Sequence, residues 1–282
     1  MIVVVTGSSG FIGSRLVKKL KQSNHDVIEL DIQKGFDIMD FEQLKTIKDF
    51  DVCVHLAGLT FVPLSYEKPH DYFSLNVNGL INCIELCKIN NAKMVFPSSY
   101  VYGDPQYLPI DEKHPVSGFN PYAETKLIGE TICRAYHKYF DVKSIILRPS
   151  NIYGPGQNEN FLLPKIIKQA KDGNIILKDP RPKRDFIFVD DIVECFRKAI
   201  ENDSISFEIF NVCYGESYSV NEVVEIVNKI YNNSLSIEYT NERRKIEVLD
   251  ITMKISKVKS LLGWSPEIDL HSGINNLINS NA

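Results

Sequence analysis

Short apolar runs alternate with amphipathic segments along the first 150 residues of the chain. Four consecutive apolar, mostly β-branched residues at Ile2 to Val5 indicate a strand buried on both faces. Apolar residues then recur at helical spacing from Phe11 to Leu20, which predicts a helix. Further strands are predicted at Val27 to Leu30, Asp51 to Leu56, Lys93 to Pro97, Val142 to Leu147 and Phe207 to Val212. Strands that alternate with helices in this way predict an α/β fold with a doubly wound parallel sheet.

The pattern changes after about residue 150. Before that point helices are predicted near 40–48, 70–91 and 122–139, and after it near 162–171 and 190–201. The sequence IYGPG at 152–156 is typical of a turn, and a brief strand is predicted at Ile175 to Leu177. Residues 215–282 predict two helices and a strand at Ser236 to Tyr239. We therefore expect two interleaved lobes. Residues 1–150 with about 186–214 form the sheet domain, and residues 151–185 with 215–282 form a smaller C-terminal lobe.

Three glycines mark the turn between the first strand and the first helix. Gly7, Gly10 and Gly13 are spaced three apart, which allows a tight turn, close helix packing and the approach of a pyrophosphate to free N–H groups. Asp31 ends the second strand, where a carboxylate can accept both ribose hydroxyls of an adenosine. The alternative is a glycine-rich structural turn with an unrelated Asp. The dinucleotide interpretation makes this a Rossmann domain, and the charge of Asp31, with only Lys34 as a nearby cation, favours NAD over NADP.

Composition narrows the classes of partner. A formal net charge of −4 and a pI near 5.9 give no basic surface for nucleic acid, so no nucleic-acid partner is expected. No apolar run approaches the roughly 20 residues that span a bilayer, so no membrane association is expected. Cys83 and Cys87 are spaced for a metal pair, but no His or acidic residue completes the set. We expect six buried free thiols, no metal, and a cytoplasmic protein.

Tyr122 and Lys126 are the candidate reactive pair. They lie four residues apart on a predicted helix and so share one face. An ammonium close to a phenol lowers the phenol pKa from about 10, which yields a general base, and a pyridinium cofactor would act in the same direction. Ser98 ends the fourth strand, where its hydroxyl can bond the oxygen that Tyr122 deprotonates. Taken alone, Tyr-x-x-x-Lys is usually a solvated helix face.

With these residues in place, the chain resembles the extended short-chain dehydrogenases/reductases that act on nucleotide sugars, the NAD-dependent epimerase/dehydratase family that includes UDP-glucose 4-epimerases. The matching motifs run over nearly the whole chain. They are TGSSGFIG at 6–13, HLAG at 55–58, SSYVYG at 98–103, PYAETK at 121–126, LRPSNIYGPG at 147–156, RDFIFVDD at 184–191, FNV at 210–212 and LLGWSP at 261–266.

The resemblance implies specific roles for individual residues. Ser98, three residues before the valine of VYG, would be the catalytic hydroxyl, and Tyr122 the acid/base. Asn151 and Arg184 would contact a nucleotide diphosphate; the alternative for Arg184 is a salt bridge to Asp185 or Asp191. Helices 70–91 and 121–139 would pair across a homodimer. The NAD site would be lined, beside the three glycines, by Phe11, Ile12, Asp31, Asp37, Ile38, Leu56, Ala57, Gly58, Asn76, Tyr122 and Lys126.

Two departures from the family pattern bear on the reaction. Dehydratases of the family carry an Asp-Glu pair after the catalytic threonine, whereas this chain has Ser99-Tyr100, which disfavours 4,6-dehydration. Arg243 and Arg244 lie in a shortened segment and are either phosphate ligands or an exposed basic turn. We expect an NAD-dependent nucleotide-sugar 4-epimerase that works through a transient 4-keto sugar. The alternatives are a 4-ketoreductase or 4-dehydrogenase and a non-catalytic NAD-binding protein.

Overall fold

The computed structural model describes residues 1–243 and 247–280, and within them it contains eleven strands and eleven α-helices. The strands are β1 (Ile2–Thr6), β2 (Asp26–Leu30), β3 (Val52–His55), β4 (Lys93–Pro97), β5 (Ser144–Pro149), β6 (Asn151–Tyr153), β7 (Asn174–Leu177), β8 (Lys183–Phe188), β9 (Phe207–Val212), β10 (Ser217–Ser219) and β11 (Ser236–Tyr239). The helices are α1 (Phe11–Gln22), α2 (Phe41–Leu44), α3 (Val62–Glu67), α4 (Pro69–Phe73), α5 (Gly79–Ile89), α6 (Pro121–Phe140), α7 (Leu162–Lys171), α8 (Val189–Glu201), α9 (Val220–Ile230), α10 (Ser256–Leu262) and α11 (Leu270–Ser280).

A six-stranded parallel sheet forms the centre of the molecule, in the order β2-β1-β3-β4-β5-β9. Val3 pairs with Val27 on one side and with Val52 on the other, and all three belong to the same core. That core lies under α1 and α8, and a second core lies on the opposite face under α5 and α6. The predicted fold class, a doubly wound parallel sheet, is confirmed.

The strand order reverses direction between β1 and β3. The chain leaves β1 for β2 at one side and returns to β3 on the other side of β1. Connections on opposite sides diverge there and open a crevice at the carboxyl ends of the strands, which is where ligands bind in open α/β sheets. The glycine turn after β1 and the Leu56–Gly58 segment after β3 both lie at this edge.

The chain after β5 builds two smaller sheets that the sequence predicted only in part. β8 pairs parallel with β6 and antiparallel with β10, and β7 pairs parallel with β11. The predicted turn at 152–156 is therefore wrong at its start, because Ile152 pairs with Ile187. The described residues 215–243 and 247–280 form three helices rather than two, since α10 buries Val258 and Leu262 in the core under the central sheet. The lobe boundaries stay a prediction.

The single helix expected at 70–91 is interrupted. α4 and α5 are joined by one π-helical turn, Ser74–Asn78, which contains Asn76. A wider turn of this kind inserts one residue into the helical ladder and often serves a site. Directly after it, a Cβ on Gly79 would lie 2.5 Å from Ile38 Cδ1, so the glycine lets the helix pack against the segment that follows β2.

Candidate functional site

The turn between β1 and α1 is so compact that it leaves no room for a side chain at Gly7 or Gly13. Gly7 has a φ of +66°, and a Cβ there would lie 2.7 Å from the Ala57 nitrogen. A Cβ on Gly13 would lie 2.1 Å from the carbonyl oxygen of Gly7. Gly10 is the N-cap of α1, and in the described part of the chain no side chain caps that helix. The first N–H groups of α1 therefore face the crevice without side-chain acceptors, as a pyrophosphate site requires.

The carboxylate of Asp31 lies against this turn. Its Oδ2 accepts from the Ser9 backbone N–H at 2.9 Å and its Oδ1 accepts from Gln33 N–H at the same distance. Asp31 thus stands between the glycine turn and the end of β2, where an adenosine ribose would bind. Lys34 forms an ion pair with Glu29 instead of turning toward Asp31. This charge distribution supports the NAD preference over NADP, since a 2′-phosphate would meet a carboxylate.

A pocket of about 260 Å³ opens beside the N-terminus of α1. Arg15 holds one wall of this pocket, because its guanidinium donates to the Pro155 carbonyl at 2.7 Å and to Asp190 Oδ1 at 3.1 Å. The uncapped helix end, the glycines and Asp31 together fit a dinucleotide. The pocket is lined by Ser9, Gly10, Phe11, Ser14, Arg15, Pro155 and Gly156.

Three other residues predicted for the NAD site, Asp37, Ile38 and Asn76, are packed or hydrogen-bonded within the fold. Ile38 is buried, and Asp37 Oδ1 accepts from the Met39 N–H at 2.9 Å. Asn76 is 5% exposed and already makes three hydrogen bonds, two with the backbone of Leu59 and one to Thr125 Oγ1. These bonds tie the loop after β3 to α6. Contact of Asp37, Ile38 and Asn76 with NAD therefore stays a prediction.

The loop after β3 is fixed by a short buried chain of polar groups. The Ala57 N–H donates to Thr6 Oγ1 at 3.1 Å, and that oxygen lies 3.1 Å from His55 Nδ1. Burial lowers the pKa of His55 to about 3, so the imidazole is neutral. Leu56, Ala57 and Gly58 are half-buried at the edge of the crevice. His55 is thus a packed core histidine.

Tyr122 and Lys126 share a face of α6, which begins with Asn120 as its N-cap and Pro121 in its first turn. Lys126 Nζ donates to the Pro97 carbonyl at 2.9 Å and lies 5.8 Å from the centroid of the Tyr122 ring. Lysine and phenol are therefore together at the carboxyl end of β4. The predicted closeness of the two groups is present in the structure.

The predicted lowering of the Tyr122 phenol pKa by Lys126 is not found in the structure. Burial raises the pKa of Tyr122 to about 12, and a hydrogen bond from Ser99 opposes that rise. Burial also lowers the pKa of Lys126 to about 8. The Lys126 ammonium donates to a backbone carbonyl and not to the phenol oxygen. The cost of burying the ammonium and the phenolate therefore exceeds the attraction between these two charges. Activation of the phenol must come from a further positive charge.

Ser98 has a buried carboxylate as its partner in the structure, and its predicted bond to the reacting oxygen stays a prediction. Its Oγ donates to Glu130 Oε1 at 2.6 Å. Arg148 binds the same carboxylate with Nε at 2.8 Å and Nη2 at 2.6 Å, and its Nη1 donates to the Tyr102 hydroxyl. Ser98, Glu130 and Arg148 are each less than 5% exposed. The hydroxyl that lowers the pKa of the Tyr122 phenol is that of the neighbouring residue, Ser99.

The two predicted diphosphate ligands lie on adjacent strands of the second sheet. Asn151 begins β6 and donates to the Asp185 carbonyl at 3.3 Å. Arg184 lies in β8, forms an ion pair with Glu247, and donates to the Val248 carbonyl at 2.7 Å. Arg184 thus forms a salt bridge, as the alternative predicted, but its partner is Glu247 and not Asp185 or Asp191.

The two acids considered as partners for Arg184 have other roles. Asp185 accepts from Ser150 Oγ and from the Tyr214 and Gly215 N–H groups, and burial raises its pKa to about 6. Asp191 accepts from two N–H groups at Glu267 and Ile268, which join α8 to the C-terminal segment.

Several remaining sequence expectations concern charges and thiols. Arg243 is exposed, and its charge adds to that of Arg181 in lowering the pKa of Asp179 to about 2; Arg244 lies outside the described residues.

The six cysteines are buried and free, as predicted. Within residues 1–243 and 247–280 no three His, Cys, Asp or Glu side chains are placed to hold a metal ion. In the same ranges, no helix is long and apolar enough to cross a membrane.

Sequence reasoning missed three residues of the site. Glu130 follows Lys126 by four positions, so helical spacing alone could have placed it on the buried face with the reactive pair. Ser99 adjoins the predicted serine, and no periodicity distinguishes the two where a strand ends. Glu247 has no local signal, because its contact with Arg184 joins residues 63 positions apart.

Comparison with known proteins agrees with this geometry. A model of the NAD dependent epimerase/dehydratase family matches residues 3–213. UDP-glucose 4-epimerase of Lactobacillus helveticus is 30% identical, over 99% of this chain and 95% of that protein. GDP-6-deoxy-D-mannose reductase of Pseudomonas aeruginosa is 27% identical, over 96% and 93%. The solved structure of UDP-N-acetylglucosamine 4-epimerase from Methanobrevibacter ruminantium, with UDP-N-acetylmuramic acid, has a TM-score of 0.91 at 28% identity and covers 99% and 97%. The predicted resemblance is confirmed, and the chain belongs to the NAD-dependent epimerase/dehydratase family, a family of extended short-chain dehydrogenases/reductases.

Proposed function

We propose that this enzyme is a nucleotide-sugar 4-epimerase of the UDP-hexose class, working through a transient 4-keto sugar. The observation that carries the proposal is the meeting of Tyr122 and Lys126 with the end of β4, at the same sheet edge as the glycine turn and Asp31. Relatives and solved neighbours named as UDP-sugar 4-epimerases support the substrate class.

In this proposal the chain's own groups bind, orient and move a proton. The N–H groups at the start of α1 and the Asp31 carboxylate hold the dinucleotide, which supplies a hydride acceptor and donor when bound. Tyr122, as the phenolate, takes the proton from O4 of the sugar and, as the phenol, later returns it. Lys126 keeps a positive charge beside the phenol up to a pH near 8, the value to which burial lowers its pKa. Asn151 and Arg184 are the proposed contacts of the nucleotide diphosphate.

The direct test is the conversion of a UDP-sugar without added cofactor. Purified protein is incubated with UDP-galactose or UDP-N-acetylgalactosamine, and the C4 epimer is measured by NMR. We expect the epimer to form, and Tyr122→Phe to abolish turnover while NAD stays bound. Tyr107→Phe, at an exposed tyrosine that bonds Asp111, is the matched control and should retain activity. Persistent activity in Tyr122→Phe would refute the assignment of the base.

A 4-ketoreductase is the second candidate, because a GDP-6-deoxy-D-mannose reductase is among the relatives. It would use the same Tyr122 and Lys126 but release a sugar of changed redox state. Steady consumption of external NADH with a 4-keto sugar, and no epimer, would replace the epimerase proposal by this one. A 4,6-dehydratase is disfavoured by Ser99-Tyr100. A non-catalytic NAD-binding protein would bind NAD but turn over neither substrate.

We also propose a homodimer formed through the helical segments 70–91 and 121–139. Apolar side chains on these segments remain exposed in the single chain, as expected of a surface that a second copy covers. Sedimentation of the purified protein tests this, with a monomer contradicting it. The free, buried thiols support a reducing, cytoplasmic location. The exposed apolar residues are Phe73, Ile81, Ile89 and Tyr139, and Phe140 directly follows the second segment.

A further inference from the structure

Two adjacent serines follow β4, and their surroundings differ. Ser98 Oγ donates to the buried carboxylate of Glu130, whereas Ser99 lies on the half-buried segment beside Tyr122 and lowers the pKa of that phenol. We propose that Ser99, and not Ser98, is the hydroxyl that shares the reacting sugar oxygen with Tyr122. The inference rests on the proposed C4 chemistry, and it reassigns one of its residues.

Ser98 is held in place from both its backbone and its side chain. Its N–H donates to the Leu147 carbonyl at 2.7 Å, which is the last rung between β4 and β5. Its hydroxyl completes the coordination of Glu130, whose two oxygens also accept from Arg148. Turning the Ser98 hydroxyl toward the crevice would remove one donor from a buried carboxylate. Ser98 is therefore a structural residue of this buried network.

Ser99 is placed beyond the last sheet rung and is half-buried. It lies two residues after Pro97, at the carboxyl end of β4. The preceding carbonyl, that of Pro97, receives the Lys126 ammonium at 2.9 Å. The same ammonium lies 5.8 Å from the centroid of the Tyr122 ring, so Lys126 brings the segment that carries Ser99 next to the phenol.

The hydroxyl of Ser99 changes the chemistry of the phenol in the required direction. Its hydrogen bond to the phenol oxygen stabilises the phenolate and lowers the phenol pKa, against the rise that burial causes. The other titratable groups that face Tyr122 are Tyr72 on α4, which raises that pKa, and Lys126 on α6. A carbinol oxygen placed between Ser99 and Tyr122 would accept one hydrogen bond while its own proton passes to the phenolate.

The test compares Ser98→Ala with Ser99→Ala, each removing one hydroxyl at adjacent positions. We expect Ser99→Ala to lower the kcat for epimer formation roughly 10²- to 10³-fold with little change in KM, as for the loss of a donor that acts on the reacting oxygen. Ser99→Thr, which keeps the hydroxyl, should restore most of that loss. Ser98→Ala should keep kcat within about threefold and lower the thermal midpoint.

A second readout does not depend on turnover. The ionisation of Tyr122 is followed with pH by the near-ultraviolet absorbance of its phenolate. The absorbance of the same variant carrying Tyr122→Phe is subtracted, so that the other tyrosines do not contribute. We expect the phenol pKa to rise in Ser99→Ala and to stay unchanged in Ser98→Ala. A phenol pKa unchanged in Ser99→Ala, or a kcat lost in Ser98→Ala and kept in Ser99→Ala, would overturn the assignment. Retained activity in Tyr122→Phe would instead refute the proposed function.

Discussion

Replacing Arg148 by Met tests the buried network under the reactive pair. Arg148 and Glu130 are each 4% exposed, and the guanidinium donates two of the hydrogen bonds that the carboxylate accepts. Methionine has a similar length but leaves Glu130 as a buried charge with Ser98 as its remaining bonded side chain. Removing one partner of a buried ion pair costs about 3–5 kcal/mol. The ring contact of Arg148 with Tyr102, at 4.9 Å, is lost as well.

The expected cost converts into a change of melting temperature. Unfolding entropy is about 2.1 cal/mol/K per residue, so a chain of 282 residues has roughly 0.6 kcal/mol/K. A loss of about 3–5 kcal/mol then lowers the midpoint by roughly 5–8 °C, measured by scanning calorimetry.

The control for this experiment is Lys168→Met, which breaks the surface pair with Glu159. Both side chains of that pair are more than 60% exposed, so no measurable change is expected. Arg148→Met combined with Glu130→Leu should recover part of the loss, because no charge stays buried. A midpoint for Arg148→Met within about 1 °C of the wild type would refute the reasoning.

Three further predictions concern charges at the site. Glu247→Gln should tighten UDP binding, measured by calorimetry, about three- to tenfold, because a neutral amide holds the Arg184 guanidinium less strongly than the carboxylate with which a diphosphate competes. Weaker binding would contradict this. Asp185 has its pKa raised to about 6, so its stability contribution is complete below pH 4 and lost as the pH rises through 6. The wild type and Asp185→Asn are compared by their free energies of unfolding. The difference, wild type minus variant, should fall by about 3 kcal/mol between pH 4 and pH 7. NAD⁺ should lower the phenol pKa of Tyr122 from about 12, seen as phenolate absorbance at lower pH; no shift would contradict the need for a further positive charge.

The central sheet was predictable because its signals are local. Each buried parallel strand is a continuous apolar run, and β4, β9 and α7 begin and end at the predicted residues. The strands that escaped prediction, β6, β8 and β10, take their register from pairing with distant segments. Of these, β6 and β10 have three residues each, and so little apolar surface marks them.

The site was predictable where spacing determines geometry. Gly7, Gly13 and Asp31 follow from one strand–turn–helix unit, and Tyr122 and Lys126 follow from one helix face. The roles of Ser98 and Arg184 depend on partners far away in the chain, Glu130 and Glu247, and no local pattern identifies those. The sequence also could not predict the direction in which the pKa of Tyr122 shifts. The largest cause of the shift is burial, which is a property of the folded site.

The most direct test of the account is the fate of the hydrogen on C4. UDP-galactose carrying deuterium at C4 is converted by the purified protein in ordinary water, and the product is analysed by NMR and mass spectrometry. An epimerase that carries the hydride internally returns the label, so we predict UDP-glucose with deuterium retained at C4. Product in which C4 carries hydrogen from solvent, or an accumulating 4-keto sugar with no epimer, would contradict it.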